Sequence, residues 1–344
     1  MNMRTANCVA TDSLTRSREL VWPELRAAVA TLDPRLSVMS GFSLGWCDVD
    51  GEPSEGGGKG LRPTLALLGA RAAGGRPEAG VPGAVAVELV HAFSLVHDDI
   101  MDGDERRRHR PSAWKAYGVG PALLTGDALL ALALETLAAA PGEERAEASR
   151  LLSGALMELV GGQAADVAFE SRPWTGPGAV SVEEYQDMAV RKTGALLGCS
   201  AAIGAALSGA PATVTAGLSE MGRHLGLAFQ MVDDILGIWG DPDVTGKPVC
   251  SDLRRRKKTA PVLAALAAAE AGGPLIGLLD DTRDERGLRR AADLIAAAGG
   301  RDVAEDMARR HLDAALRILS GLRLDAPATA ELVALAESLM DRRR

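Results

Sequence analysis

The chain has 344 residues, 47% of them hydrophobic and 24% charged, a composition that excludes a disordered or fibrous protein and leaves ample length for a core. Its net charge of −8 and pI near 5.3 exclude the broad basic face that nucleic acid or an anionic membrane surface requires. Aromatic residues make up only 3% while alanine and leucine dominate the apolar runs; both enter helices at little entropic cost, so the expected fold class is all-α, a single-domain helical bundle.

The first residues, MNMRTANCVATDSLTRSREL, lack the continuous apolar stretch of a secretory signal. Cysteines at 8, 47, 199 and 250 show neither metal-ligand nor disulfide spacing, so reduced thiols and a cytoplasmic location are expected. Residues 1–17 are read as an N-terminal segment whose order is open, and residues 18–344 as one domain, because no composition shift or linker divides them. Turn signals at 51–60, 74–83, 141, 171–181, 240–248 and 271–274 separate about ten segments of helical apolar spacing. Ser181 with Glu184 forms a capping box, and Asp302 with Glu305 resembles another helix start. Residues 193–219 carry no formal charge, but they consist mainly of Ala, Gly, Ser and Thr with Pro211 among them. They read as a buried helix, and no stable membrane insertion is expected.

Chemistry concentrates at a few places. Lys59 and Arg62 in GGGKGLRP lie three apart at a helix start, where the dipole favours an anion. Asp98 and Asp102 are four apart and share a helix face, with Asp99 beside them and His91 two turns back on the same stripe. Like charges so close repel unless a cation intervenes, and oxygen-only ligands suit magnesium. Gln230, Asp233 and Asp234 close a second apolar run, GLAFQMVDDILG, where buried carboxylates need a cation or donors. AFSLVHDDI at 92–100 and AFQMVDDI at 228–235 echo one another, as two equivalent helices facing across a cavity would. Cations follow both clusters: Arg107, Arg108 and Arg110 after the first, Lys247, Lys257 and Lys258 after the second. Metal together with cation is what a diphosphate requires.

In these stretches, with Lys192 and Thr193 in RKTGALLG, the sequence resembles the trans-type isoprenyl diphosphate synthases of the polyprenyl synthetase family. The matching motifs run in the family's order from 56 to 261. The resemblance implies an all-helical homodimer with a central cavity in each subunit, condensing isopentenyl diphosphate with an allylic diphosphate (dimethylallyl, geranyl or farnesyl). It implies Mg2+, three ions per active site, held by Asp98, Asp99, Asp102, Asp233 and Asp234. Lys59, Arg62, His91 and Arg108 are similar to the isopentenyl diphosphate site; Arg107, Lys192, Thr193, Gln230, Lys247 and Lys257 are similar to allylic diphosphate contacts. Arg107, Lys192 and Lys257 would stabilise the departing diphosphate alongside the metal. In the family, bulky residues about a turn before the first motif floor the product tunnel. Phe93, with small Ser94 beside it, resembles the geranylgeranyl-producing type.

Three departures stand out. Gly237 takes the place where the second motif often has a third aspartate, His109 replaces a usual glycine, and Arg106 a usual apolar residue. Gly237 keeps open a non-catalytic subunit of a heteromeric synthase. A class I terpene cyclase shares the first motif and the metal but needs only one diphosphate site, whereas Lys59, Arg62 and His91 supply a second.

Overall fold

The computed structural model describes residues 3–54, 56–107, 109–242, 248–268, 272–281 and 284–340. Arg108 and Lys247, assigned above to substrate binding, lie outside the described residues. In chain order the helices are α1 (Met3–Val29), α2 (Pro34–Leu44), α3 (Leu61–Ala72), α4 (Val81–Met101), α5 (Ala113–Tyr117), α6 (Val119–Ala138), α7 (Arg145–Glu170), α8 (Val182–Ala189), α9 (Ala195–Leu207), α10 (Ala212–Trp239), α11 (Ser251–Arg254), α12 (Ala260–Ala267), α13 (Gly272–Asp281), α14 (Glu285–Ala297), α15 (Gly300–Gly321) and α16 (Ala326–Met340). A π-helical turn, Val190–Gly194, joins α8 to α9. Among the described residues the only strand pair is β1 (Arg106–Arg107) with β2 (Arg110–Pro111). The fold is therefore all-α, as the composition predicts.

Local signals account for several boundaries. At α8 both arms of the Ser181 and Glu184 capping box are formed. The start expected at Asp302 is corrected to Gly300, which follows Gly299 at φ 79°; Asp302 lies inside the first turn, where its charge complements the dipole. Residues 3–17 belong to α1, with Ala6 and Ala10 buried. The Glu331 carboxylate of α16 ties this helix down, accepting from Ser13 Oγ at 2.6 Å, Arg16 at 2.6 Å and Arg71 at 2.8 Å.

The chain forms two compact units, each assembled from separated segments, which is why no linker is visible along it. The first comprises Met1–Leu156, Leu196–Gly222 and Leu316–Ser338; the second comprises Met157–Ala195, Arg223–Ala315 and Leu339–Arg344. In the first, α3 and α9 touch backbone to backbone. A Cβ on Gly204 would stand 1.8 Å from the Ala66 carbonyl oxygen and one on Gly69 2.3 Å from that of Ala201, so neither helix tolerates a side chain there. Leu196, Leu197 and Ile203 are buried, as expected for the uncharged stretch. In the second unit Tyr185, Met231, Val232 and Ala304 centre one apolar cluster, and Ile238, Leu275, Leu288 and Ile295 another. Among the described residues two helical segments are long and apolar enough to cross a membrane, Pro77–Met101, largely buried, and Val119–Ala138, largely not.

Candidate active site

In the first unit, α4 carries His91, Phe93, Ser94, Asp98 and Asp99 in its last three turns, and Asp102 caps its end with a backbone N–H donated to the Asp98 carbonyl at 2.8 Å. Asp98 and Asp102 are half-buried. Asp99, a third of a turn round the helix, is buried, and it receives Arg107: Nε donates to Oδ1 and Oδ2 at 2.9 Å, Nη2 to Oδ1 at 2.6 Å. A fork-to-carboxylate pair of this kind fixes the guanidinium plane. Both Asp99 oxygens accept from it, so Asp99 orients Arg107.

The hairpin explains how Arg107 returns onto α4. Arg107 pairs with Arg110, leaving two residues for the turn, and such turns need positive φ. His109 adopts φ 65°, the conformation that the family's usual glycine reaches without strain. Arg106 Nη2 donates to the His109 carbonyl at 2.6 Å. Arg110 donates to the Cys47 carbonyl and stacks on Phe42, 4.7 Å from the ring centroid, which makes it structural. Upstream, Gly60 at φ 73° opens α3, with Lys59 exposed before it and Arg62 half-buried in its first turn. Arg18 Nη2 donates to the Gly58 carbonyl at 2.8 Å and ties this glycine loop to α1. Phe93 is buried, and Ser94 Oγ donates back to the His91 carbonyl at 2.9 Å.

In the second unit the π-helical turn presents Lys192 and Thr193. Such turns recur at functional sites because the extra residue re-aims side chains. Here it is packed against glycines: a Cβ on Gly162 of α7 would lie 2.3 Å from Lys192 N, and one on Gly226 of α10 2.6 Å from Gly194 Cα. These approaches let Lys192 reach the Asp166 carboxylate of α7 and Thr193 Oγ1 donate to Gln230 Oε1 at 2.7 Å. Gln230 Nε2 in turn donates to Asp234 Oδ1 at 2.9 Å, while the Tyr185 hydroxyl and the Ala260 N–H, at 2.9 Å, donate to Oδ2. Asp234 is 3% exposed. Burial pushes its carboxyl up to about 7 despite those three donors, and the nearby Asp252 charge adds to the rise. Through these bonds Asp234 braces α8, α10 and α12. Asp233, beside it, is half-buried.

Gly237 has a structural counterpart. A Cβ built there would lie 2.0 Å from Oδ2 and 2.4 Å from Cγ of Asp252. The carboxylate of α11 therefore fills the volume a side chain at 237 would take, one turn beyond Asp233 on α10. Lys257 is half-buried, whereas Lys258 is buried over the Trp174 ring at 3.9 Å, and that burial lowers its pKa.

Sequence reasoning missed Asp166, Gln163, Tyr185 and Asp252. Gln163 is 7% exposed, and neither its side-chain nitrogen nor its oxygen finds a partner within the protein, an arrangement that calls for a ligand or water. A signal was present: Gln163 and Asp166 lie three apart, on one helix face, in a run from 160 to 169 that is otherwise uncharged. Among the described residues no three His, Cys, Asp or Glu side chains are gathered at metal-binding distance.

An all-helical protein with two aspartate pairs and carboxylate-held cations beside them belongs to the class that handles diphosphate esters. The polyprenyl synthetase family matches residues 52–295, and the chain belongs to that family; it is an enzyme of the trans-prenyltransferase type. The (2E,6E)-farnesyl diphosphate synthase of Mycobacterium tuberculosis is 46% identical over 333 residues, 95% of this chain and 91% of the relative. The geranylgeranyl diphosphate synthase of the same organism is 41% identical over 334 residues, 96% and 93% of the two chains. The crystal structure of a polyprenyl synthetase from Streptomyces coelicolor A3(2) superposes with TM-score 0.90 at 46% identity, covering 96% of this chain and 99% of that one. A geranylgeranyl pyrophosphate synthase from Corynebacterium glutamicum, complexed with isoprenyl diphosphate and magnesium, gives TM-score 0.80 at 26% identity over 100% of both chains.

Proposed function

We propose that the protein condenses an allylic diphosphate with isopentenyl diphosphate, head to tail, to give geranylgeranyl diphosphate, acting as a magnesium-dependent homodimer. The observation that carries this reading is that each unit fixes a cation of the matching motifs with a dedicated carboxylate, Arg107 by Asp99 and Lys192 by Asp166, which readies both cations for the proposed diphosphate contacts. Magnesium, proposed at three ions per site, fits the oxygen-only carboxylates that each unit presents: Asp98, Asp99 and Asp102 in the first, and Asp233 and Asp234, with Asp252 beside Gly237, in the second. When bound, it neutralises charge on the diphosphate oxygens.

In the proposed reaction the allylic carbon–oxygen bond breaks with both electrons going to the diphosphate. Arg107, Lys192 and Lys257 stabilise that charge, with Thr193, Gln230 and Lys247 completing the allylic contacts. Lys59, Arg62, His91 and Arg108 hold isopentenyl diphosphate so that its double bond attacks the allylic cation. The new carbon–carbon bond leaves a cation that loses a proton to the released diphosphate, since none of these side chains is a suitable base.

Buried Phe93 beside small Ser94 supports the C20 length; the 46% identity to a farnesyl diphosphate synthase favours C15 as a second reading. Incubation of the purified protein with isopentenyl diphosphate and each allylic starter, with and without Mg2+, followed by chain-length analysis, tests all of this. Magnesium-dependent C20 product is expected, C15 alone moves the reading to the farnesyl type, and no product from any starter overturns it. Hydrocarbon or alcohol from geranylgeranyl diphosphate alone would identify a cyclase instead.

A further inference from the structure

Phe93 is not held by the apolar core alone. Its ring meets the His97 imidazole one helical turn on, edge to face, with centroids 4.9 Å apart and planes at 69°. The imidazole is itself pinned to α6. Its Nε2 lies 3.1 Å from the Leu123 carbonyl oxygen, so this nitrogen carries the hydrogen and donates. The ring lies directly over Gly126, where a Cβ would stand 2.2 Å from Nε2 and 2.4 Å from Cδ2. No other residue at 126 leaves the imidazole where it is. The Asp127 carboxylate, 3.8 Å from Nε2, borders the same ring.

We infer that His97 is a specificity-determining residue: seated on Gly126 and anchored to the Leu123 carbonyl, its ring buttresses Phe93 and so sets how long a product the enzyme accepts. The inference rests on Phe93 acting as the floor of the product tunnel. A floor must resist a growing apolar chain, and a phenyl side chain on a helix has more than one staggered rotamer open to it. The edge-to-face partner biases that choice, and α6 in turn fixes the partner. His97 also directly precedes Asp98, so one helical turn carries both the buttress and a proposed metal ligand.

Product distributions of Phe93→Ala, His97→Gln and Gly126→Ala, compared with the unaltered enzyme under one set of conditions, test the assignment. Glutamine keeps an N–H for the Leu123 carbonyl but removes the ring. His97→Gln is therefore expected to raise the ratio of longer to normal product about three- to tenfold, the range an aromatic pair supports, in the same direction as Phe93→Ala. Gly126→Ala displaces the imidazole and shifts the distribution as well, and adding it to His97→Gln shifts it no further, because no ring is left to displace. Lengthening in Phe93→Ala with a wild-type distribution in His97→Gln overturns the role of His97 and leaves the floor reading standing. An unchanged Phe93→Ala removes the floor reading, and the inference with it. Should Gly126→Ala fail to fold, as judged by circular dichroism, His97→Gln alone decides.

Discussion

At His109 the backbone sits at φ 65° in a turn of only two residues between Arg107 and Arg110. A Cβ in that region crowds the neighbouring carbonyl, at a cost of roughly 1–2 kcal/mol, part of which glycine gives back through its larger unfolded-state entropy. His109→Gly is therefore expected to stabilise the protein by about 1 kcal/mol, seen as a higher Tm with turnover retained; a lower Tm would show that the imidazole makes up for the strain. At the other cluster, the Asp252 carboxylate occupies the place a side chain at Gly237 would take, and on the proposed function it supplies the missing ligand. Asp252→Asn keeps the shape and removes the charge, so it should weaken divalent-ion binding by about tenfold, measured by titrating Mn2+ against its electron paramagnetic resonance signal. Gly237→Asp should not improve binding, because its Cβ would fall 2.0 Å from an oxygen already there. Unaltered Mn2+ affinity in Asp252→Asn would return Asp252 to a purely structural role.

Among the elements, what could be read in advance was what lies within one helix. Asp98 and Asp102 share a face by spacing alone, and the Ser181 capping box is complete within four residues. What could not be read was each partner that arrives from elsewhere in the chain. Asp166 meets Lys192 across 26 residues, through a π-helical turn and a glycine contact that no periodicity announces; Asp252 likewise meets Gly237 from a separate helix. The occupied oxygens of Asp99 and Asp234 were likewise invisible, since burial depends on what packs around them. A further pairing of this kind joins α10 to α15, where the Nδ1 atoms of His224 and His311 lie 3.0 Å apart. One ring must donate and the other accept, so the pair is satisfied when neutral. Burial, with His224 beside it, lowers the His311 pKa below its usual 6.5. The unfolded chain then binds a proton that the folded one refuses, so this contribution to stability is complete above the unfolded value and is lost as pH falls towards the depressed folded one. Tm is expected to fall between about pH 7 and pH 5, and to fall less steeply in His311→Asn. An equal slope in the variant would place the pH dependence elsewhere.

For the whole molecule the informative surface is α6. Its 20 residues include only two charges, Asp127 and Glu135, yet Val119, Leu123, Leu124 and Leu134 are 46%, 40%, 61% and 42% exposed. The apolar stripe these residues form, broken by exposed Asp127, exceeds the scattered single leucines that are ordinary on a surface, and it supports an interaction face. A second copy of the chain is the simplest cover. Under two-fold symmetry each stripe meets its own image, so one apolar helix serves both partners and every leucine buried counts twice. A charge placed in the middle of the stripe would also meet its image, so Leu124→Glu sets two carboxylates close together in an apolar contact. On the proposed homodimer, the unaltered protein is expected to run as a dimer in light scattering and that variant as a monomer. His97 reaches the Leu123 carbonyl on the same helix, and separation of the subunits should therefore also broaden product length. A dimer that survives Leu124→Glu would rule out α6 as the subunit contact.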